Sequence, residues 1–333
     1  MIALAQKASF SVDALAIDAA RETERIAAAL RNQLRLLKRR GLVIGLSGGI
    51  DSSASLALAV RAVGAANVFA LFMPENDSDP ESLRLGQLVA ETFGVEGAVE
   101  DIGPALKAMG CYDRRDASIR ELVPEYGSGW ASKVVIASSL EGDGYNISSL
   151  VVQDPQGRQQ KLRMPLSAYL GIVAATNMKQ RTRKQMEYYH ADRLNFAVVG
   201  TPNRLEYDQG FFVKNGDGAA DVKPIAHLYK SQVYAMAAHL GVPEDILRRP
   251  PTTDTYSLAQ TQEEFYFSLP YGLMDLCLFG LNNGVPAVEV AKATGLTAEQ
   301  VERVWADIAA KRKVARGLHM RPLLVEPIGE IGD

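Results

Sequence analysis

The sequence predicts an α/β fold built on a doubly wound, mostly parallel sheet, with an inserted β-rich segment and a helical C-terminal region. Three observations predict it: short apolar runs typical of buried strands, helical segments that alternate with them, and no internal repeats. Strands separated by helices usually pair in parallel through right-handed crossovers. We therefore expect one main sheet with helices on both faces.

The first elements are a helix and a strand-loop-helix unit. Apolar residues spaced three or four apart predict a helix over 12–38, with Gly41 ending it. The run LVIGL (42–46) is typical of a short buried strand, SGGIDSS (47–53) of a turn and ASLALAVRAV (54–63) of a helix.

The alternation continues and is then interrupted. We expect a strand over 67–73, a helix over 80–93 with proline at its start, and a strand over 95–100. Segment 110–163 contains β-rich runs and the turn sequence DPQG (154–157), so it predicts an inserted β-rich excursion.

The second half of the chain is mostly helical. A long helix is expected over 166–191, followed by the strand NFAVVG (195–200) and a glycine-rich stretch over 210–218. The sequence PPTTDTYS (250–257) is typical of a loop, and 260–333 predicts a helical C-terminal extension.

Two helical segments near the end of the chain flank Gly295, with Thr297 as a cap for the second. This pattern also occurs in DNA-reading helix-turn-helix motifs, but the formal net charge of −3 offers no basic excess. We expect a helical hairpin that packs on the core, and no nucleic-acid partner.

Bulk composition narrows the class of protein. The 333 residues fall within the size range of one elaborated domain, so we treat 1–333 as a single domain. Cys111 and Cys277, the two cysteines, are expected to be ordinary thiols. No apolar run is long enough for a bilayer and the first residues lack a secretory pattern, which predicts a cytoplasmic protein without a membrane partner.

The loop SGGIDSS carries the clearest chemical signal. It lies between a predicted buried strand and a helix, where unpaired backbone N–H groups and the helix dipole favour an anion such as phosphate. It lacks the lysine of a Walker A loop and the GxGxxG spacing of a dinucleotide fold. Asp51 would repel a phosphate unless a cation lay between them, and Mg²⁺ commonly bridges the two. The alternative is a plain helix-capping aspartate.

Five further segments follow in chain order: NMKQRTR (177–183), GTPNRLE (200–206), KNGDG (214–218), PIAHLYK (224–230) and PPTTD (250–254). With SGGIDSS, the phosphate loop of N-type ATP pyrophosphatases, they resemble the NAD synthetase family of the ammonia-dependent type. The resemblance covers residues 20 to 260 or so, and the six motifs in register make it specific. It implies a Rossmann-like fold of the adenine nucleotide alpha hydrolase type.

The resemblance also implies a reaction. ATP, as co-substrate with Mg²⁺, would adenylate the nicotinate carboxylate of deamido-NAD and release pyrophosphate, and ammonia would then displace AMP to give NAD. The family is typically a homodimer. The phosphate loop begins at residue 47, too early for an additional hydrolase domain ahead of it, so free ammonia or a separate glutaminase subunit is the expected nitrogen source.

Residue roles carry over motif by motif from the same resemblance. The implied Mg²⁺ ligands are Asp51 and Glu206, and the implied catalytic residues are Asp51, Lys230 and Asp217, with Asp217 near the ammonia path. Contacts with ATP or departing pyrophosphate are implied for Ser47, Gly48, Gly49, Asp51, Ser52, Ser53, Thr201, Lys230 and Thr252. Contacts with deamido-NAD are implied for Asn177, Arg181, Lys214 and Asp217.

Several stretches depart from the family pattern: MPENDSDPESLR (73–84), the longer segment 110–163, and HMR (319–321). Two alternatives therefore stay open. One is an N-type ligase that acts on a different carboxylate or nucleotide acceptor. The other is a nucleotide-binding protein without catalysis, which would bind ATP and release no pyrophosphate.

Overall fold

The computed structural model describes residues 10–136, 148–252, 255–267 and 269–329. Its strands are β1 (Leu42–Gly45), β2 (Val68–Phe72), β3 (Glu96–Val99), β4 (Ala131–Val135), β5 (Ser149–Gln153), β6 (Gln159–Arg163) and β7 (Ala197–Val198). Its α-helices are α1 (Ala19–Leu37), α2 (Ile50–Val63), α3 (Pro80–Thr92), α4 (Gly103–Ala108), α5 (Cys111–Arg120), α6 (Leu166–Leu194), α7 (Arg204–Gln209), α8 (Lys230–Leu240), α9 (Glu244–Leu247), α10 (Tyr271–Asn282), α11 (Ala287–Thr294) and α12 (Ala298–His319). No helix in these ranges is long and apolar enough to cross a membrane.

The central sheet has the strand order β3-β2-β1-β7, and each neighbouring pair is parallel. Alternate side chains of its strands point to opposite faces. Leu42 and Ile44 pack into one core with α1, α2, α3 and α8, whereas Val43 and Leu71 pack into another with α4, α5 and α6. Helices cover both faces, so the predicted doubly wound α/β fold is confirmed.

The ends of several predicted elements differ from the sequence expectation. Helix α2 begins at Ile50, inside the segment 47–53 predicted as a turn, because Gly49 is its N-cap. Helix α1 begins only at Ala19, because Asp18 caps it by accepting from the Arg21 N–H at 3.0 Å, and it ends at Lys38 in the left-handed conformation, ahead of Gly41. Strand β7 is shorter than predicted, because Asn195 is the left-handed cap of α6.

The segment 110–163 was predicted to be β-rich. Its first part is instead helical, because α5 forms there and packs along α6. Its second part contains the predicted β structure, an antiparallel sheet of order β4-β5-β6. The expected turn at 154–157 is present, with the Gly157 N–H donating to the Asp154 carbonyl at 2.9 Å. Residues 137–147 of this prediction lie outside the described residues.

The C-terminal helices form a hairpin on their own core, as predicted. Gly295 ends α11 in the left-handed conformation, and Thr297 caps α12 by accepting from the Gln300 N–H at 3.2 Å. Side chains of α11 and α12 pack against α10 in this core.

The two cysteines are buried in different cores. Cys111 lies between the central sheet and α6, where its Sγ is 3.3 Å from the Ala175 carbonyl, and Cys277 lies in the C-terminal helical core. Burial raises the pKa of both thiols, that of Cys277 to about 12. Both are free thiols, as expected.

Candidate active site

A cavity of about 1080 Å³ lies at the carboxyl edge of the central sheet. It is bordered by the residues that follow β1, β2 and β7, by one side of α6, and by the segment around Thr252. Open α/β sheets bind their ligands at this edge. The size of the cavity suits ligands as large as nucleotides.

The loop after β1 forms one wall of the cavity. Gly48 has a φ of 69°, and a Cβ there would lie 2.6 Å from the Ser82 carbonyl oxygen, so glycine is required. Ser52 and Ser53 both donate from their hydroxyls to the Gly49 carbonyl, at 3.0 and 2.8 Å. Of the predicted phosphate-binding residues of this loop, those that line the cavity are Ser47, Gly49, Asp51 and Ser52. Gly48 and Ser53 are buried behind them.

A buried lysine faces this loop from the first turn of α8. Lys230 is 1% exposed, and its Nζ forms an ion pair with Asp51 Oδ2. Asn203 Nδ2 donates to the other oxygen of Asp51 at 3.0 Å. Burial opposes the lysine charge, but Asp51 and Glu206 outweigh that effect and raise the pKa of Lys230. The cation is therefore permanent and is fixed at the phosphate loop.

Glu206 is the second carboxylate at this point of the cavity. It lies at the start of α7, where its Oε2 accepts from the Asn203 N–H at 3.1 Å in a capping box. Burial, with the Asp51 charge added, raises the pKa of Glu206 to about 8. We call Lys230, Asp51, Glu206 and Asn203 the Lys230 cluster.

The donor set of this cluster fits Mg²⁺. No group of three or more His, Cys, Asp or Glu side chains suited to a metal occurs within the described ranges. Mg²⁺, however, is usually bound by one or two carboxylates together with substrate phosphates and water, rather than by an all-protein cage. Asp51 and Glu206 both line the cavity beside the phosphate loop. Burial is the main cause of the raised pKa of Glu206 and the Asp51 charge adds to it, and a bound cation would offset both effects.

Sequence analysis missed Asp275, which holds Lys230 in place. Its two carboxylate oxygens accept from the Lys230 and Ser231 backbone N–H groups at 3.1 and 2.7 Å, at the start of α8. Burial raises the pKa of Asp275 to about 6. The available signal was a lone acidic residue in the apolar run LMDLCLF.

One side of α6 lines the cavity with residues spaced three or four apart. The polar ones are Thr176, Asn177, Gln180, Arg183 and Glu187. Arg183 donates to the Met73 carbonyl at 3.2 Å and to the Ser78 hydroxyl at 3.3 Å, which attaches the segment after β2 to this helix. Asn177 is thus at the cavity, as the motif assignment requires, and Glu187 was not predicted.

Arg181 and Lys214, two of the residues assigned to deamido-NAD, are exposed and do not line the cavity as the structure describes it. Arg181 Nε donates to the Lys214 carbonyl at 3.2 Å, and Lys214 Nζ donates to the Gly317 carbonyl at 2.9 Å. Their assignment stays a prediction.

Three further residues assigned from the motifs also line the cavity. Thr201, Thr252 and Asp217 do so, and Asp217 Oδ1 accepts from the Val213 N–H at 2.7 Å, closing the loop that carries it. Burial raises the pKa of Asp217. Asp254 of the PPTTD motif lies outside the described residues.

The segment 73–84, which departs from the family pattern, contributes to a second buried lysine centre. Lys179 is 1% exposed, and its Nζ donates to Glu75 at 2.9 Å, to Asp77 at 2.5 Å and to the Thr255 carbonyl at 2.9 Å. Arg115 also pairs with Asp77, and the Tyr112 hydroxyl donates to Glu75 at 2.9 Å. We call these residues the Lys179 cluster: Lys179, Glu75, Asp77, Arg115 and Tyr112.

Comparison with solved structures finds the same fold. An NMN synthetase from Francisella tularensis superposes with a TM-score of 0.64 at 22% identity, covering 93% of this chain and 99% of that one. An NH3-dependent NAD synthetase from Campylobacter jejuni gives a TM-score of 0.62 at 21% identity, covering 93% and 100%.

Comparison of sequences identifies the family. The chain is 80% identical over 322 residues to an NH(3)-dependent NAD(+) synthetase of Rhizobium meliloti (strain 1021), covering 97% of this chain and 96% of that protein. It is 35% identical over 258 residues to one of Thermotoga neapolitana, covering 78% and 83%. The family model for NAD synthase matches residues 22–123 and 144–315, which include the phosphate loop and the Lys230 cluster. By these matches and by its motifs, the chain belongs to the NAD synthase family.

Proposed function

We propose that the chain is an ammonia-dependent NAD(+) synthetase, an ATP-dependent carbon-nitrogen ligase. The observation that carries the proposal is the Lys230 cluster, which fixes a buried cation and two carboxylates beside a phosphate-binding loop in a cavity of nucleotide size. Family membership, with relatives of this activity that align over nearly the whole chain, supports it.

The first step activates a carboxylate that ammonia cannot attack directly. An oxygen of the nicotinate carboxylate of deamido-NAD attacks the α-phosphorus of ATP, and pyrophosphate leaves with the electron pair of the broken P–O bond. Loop N–H groups, the hydroxyl of Ser47, and Lys230 stabilise the charge that develops on the phosphates. Asp51 and Glu206 would hold Mg²⁺ beside these phosphates, and the ion would supply Lewis-acid neutralisation of that charge.

The second step replaces AMP by nitrogen. Ammonia attacks the acyl carbon of the adenylate, AMP leaves, and the amide of NAD remains. The nucleophile must be unprotonated and water must be kept away from the adenylate. Asp217, at the cavity wall, is our candidate for a residue on the ammonia path.

The proposed activity also implies the acceptor, deamido-NAD, and a homodimeric assembly. Asn177 and Asp217 line the cavity, where they would contact deamido-NAD. Arg181 and Lys214 are exposed, and in a homodimer they reach the part of deamido-NAD that extends beyond one subunit. Free ammonia or a separate glutaminase subunit supplies nitrogen. The two free thiols accord with the reducing cytoplasm, where we place the reaction.

The test is a complete reaction with Mg-ATP, ammonium and deamido-NAD, in which AMP, pyrophosphate and NAD are followed together. We expect the three products in equal amounts, and none without Mg²⁺. A control reaction with glutamine in place of ammonium should give no NAD. ADP as the product would contradict the proposal. AMP and pyrophosphate with nicotinate mononucleotide but not with deamido-NAD would indicate a different nucleotide acceptor.

A further inference from the structure

Glu187 is a buried carboxylate at the cavity that neither the Lys230 cluster nor the Lys179 cluster uses. It lies on the cavity side of α6, and its Oε2 accepts from Lys184 Nζ at 2.5 Å. The side chains of Lys184 and Glu187 are only 6% and 9% exposed. An ion pair that is removed from water in this way holds the carboxylate in one position.

The other oxygen of Glu187 is available to a ligand. A Cβ on Gly45, the last residue of β1, would lie 3.0 Å from Glu187 Oε1, so glycine at this position leaves room for the carboxylate beside the phosphate loop. Within the part of the chain that the structure describes, Lys184 is the one side chain that hydrogen-bonds Glu187. Oε1 can therefore accept a hydrogen bond from a molecule in the cavity.

Charged groups on two elements face Glu187. Arg183 and Lys184 face it from its own helix, and Asp217 faces it from the loop after α7. Burial raises the pKa of Glu187 and Asp217 adds to the rise, so the carboxyl group is a better proton acceptor than an exposed glutamate. Asp217 already uses one oxygen to accept from the Val213 N–H.

We propose that Glu187, positioned by Lys184, binds the ammonium substrate in the cavity and accepts its proton. This inference rests on the proposed function and adds a residue to it. Ammonium is a compact cation with N–H donors, and it must lose one proton before its nitrogen has a lone pair. A fixed carboxylate with one open oxygen, at the end of β1 beside the phosphate loop, meets both requirements.

The proposed step balances as follows. One N–H bond of ammonium breaks, its electron pair stays on nitrogen, and the proton moves to Oε1 of Glu187. The ammonia lone pair forms the C–N bond to the acyl adenylate, and the C–O bond to AMP breaks with its electron pair on AMP. The nitrogen loses a second proton to solvent as the amide forms, and Glu187 returns its proton to solvent.

The test compares wild type with Glu187→Gln, which keeps the shape and removes the charge. We expect the KM for ammonium to rise because the charge that binds it is lost. The value of kcat/KM for ammonium should fall by about tenfold or more, since general acid-base groups typically contribute a factor of about 100 or more to the rate. KM values for ATP and deamido-NAD, and pyrophosphate exchange into ATP with deamido-NAD, should stay unchanged because they precede the nitrogen step. Hydroxylamine, which is unprotonated at neutral pH, should be used equally well by both proteins.

The pH profile supplies a readout that a merely structural role would not change. In Glu187→Gln the KM for total ammonium should fall steeply from about pH 7 to about pH 9, as free ammonia becomes more abundant, and more steeply than in wild type. An unchanged ammonium KM, or an equal loss with ammonium and hydroxylamine, would overturn the inference. Failure of wild type itself to form NAD would instead overturn the proposed function.

Gly45→Ala provides a second variant in case Glu187→Gln does not fold. It keeps Glu187 and Lys184 but places a methyl group against Oε1. We expect a raised KM for ammonium with unchanged pyrophosphate exchange. An ammonium KM equal to that of wild type would contradict the inference as well.

Discussion

The Lys230 cluster and the Lys179 cluster contain similar residues but differ in how fully protein groups pair with their carboxylates. Each has a lysine that is 1% exposed and two carboxylates near it. Lys179 forms ion pairs with both of its carboxylates, whereas Lys230 forms one with Asp51 and is only near Glu206. In the Lys179 cluster, Arg115 adds a second cation and the Tyr112 hydroxyl adds a donor, so both carboxylates are satisfied within the protein. Glu75 and Glu206 both line the cavity, but within the described residues no lysine or arginine forms an ion pair with Glu206, and burial raises its pKa to about 8.

This difference shows what separates a binding centre from a structural one. A buried lysine between carboxylates is not by itself a sign of function, because such groups also join segments of the fold. Glu206 shares Lys230 with Asp51 and forms no ion pair of its own within the described residues, which leaves this carboxylate open to a metal and a phosphate. Four substitutions, with their controls, test whether the Lys230 cluster serves the reaction and the Lys179 cluster serves the stability of the fold.

The largest effect is expected for Asp51→Asn. This change keeps the oxygen that accepts from Asn203 and removes the charge needed beside Mg²⁺ and Lys230. We expect pyrophosphate release to fall by about 1000-fold, the upper range for loss of one electrostatic group. The matched control is Asp77→Asn in the Lys179 cluster, which should keep activity within about tenfold of wild type in the folded protein. Equal losses in both variants would remove the distinction between the clusters.

Lys179→Met should act on stability rather than chemistry. It leaves Glu75 and Asp77 without their shared cation and removes the hydrogen bond that Lys179 donates to the Thr255 carbonyl. We expect the free energy of unfolding to fall by about 3–5 kcal/mol, as for other broken buried ion pairs. Urea unfolding without ligands measures it, and Lys179→Arg should recover part of the loss. An unchanged unfolding midpoint would mean that this cluster does not stabilise the fold.

Asp275, which accepts from the backbone N–H of Lys230, should make the free energy of unfolding depend on pH. Its pKa is raised from an ordinary 3.8 to about 6, so the folded state holds the proton more tightly than the unfolded state. The free energy of unfolding should therefore fall as pH rises from about 4 to about 6, by at most about 1.4 kcal/mol per pH unit from this group. Asp275→Asn should flatten that part of the curve, measured by urea unfolding at several pH values. The same slope in both proteins would contradict the assignment.

The smallest effect is expected for Tyr112→Phe, which removes a hydroxyl that donates to Glu75. Lys179 still donates to that carboxylate, so the cluster keeps its cation. We expect a loss of about 1 kcal/mol in the free energy of unfolding, the usual value for one hydrogen bond. NAD formation should be unaffected. A loss of activity with stability unchanged would place this cluster in the reaction.

The parts of the site that are local in sequence were predicted, and those that depend on distant contacts were not. Ser47 to Ser53 join the end of β1 to the first turn of α2, so their position at the sheet edge followed from the strand-helix pattern. Lys230 and Glu206 were assigned only through the order of the motifs. The partners of Lys179 lie about a hundred residues away in sequence, beyond the reach of any spacing rule.

Helix α5 and the position of Glu187 at the cavity are two further features that the sequence patterns did not predict. The sequence CYDRRDASIR has no clear apolar stripe, and its helix is stabilised by packing along α6. Glu187 continues the polar side of α6 that begins with the NMKQRTR motif, at helical spacing. Following that periodicity past the motif would have found it.

The placement of the two cysteines gives the protein a pair of internal reporters. Cys111 lies beneath the central sheet and Cys277 among the C-terminal helices, and both thiols are shielded from reagents while their cores stay closed. The rate at which each reacts with a maleimide would therefore measure the opening of its own region. Peptide mapping of the labelled chain would show which of the two cores opens more often. The same experiment with ATP bound would show whether the nucleotide slows the labelling of one cysteine alone.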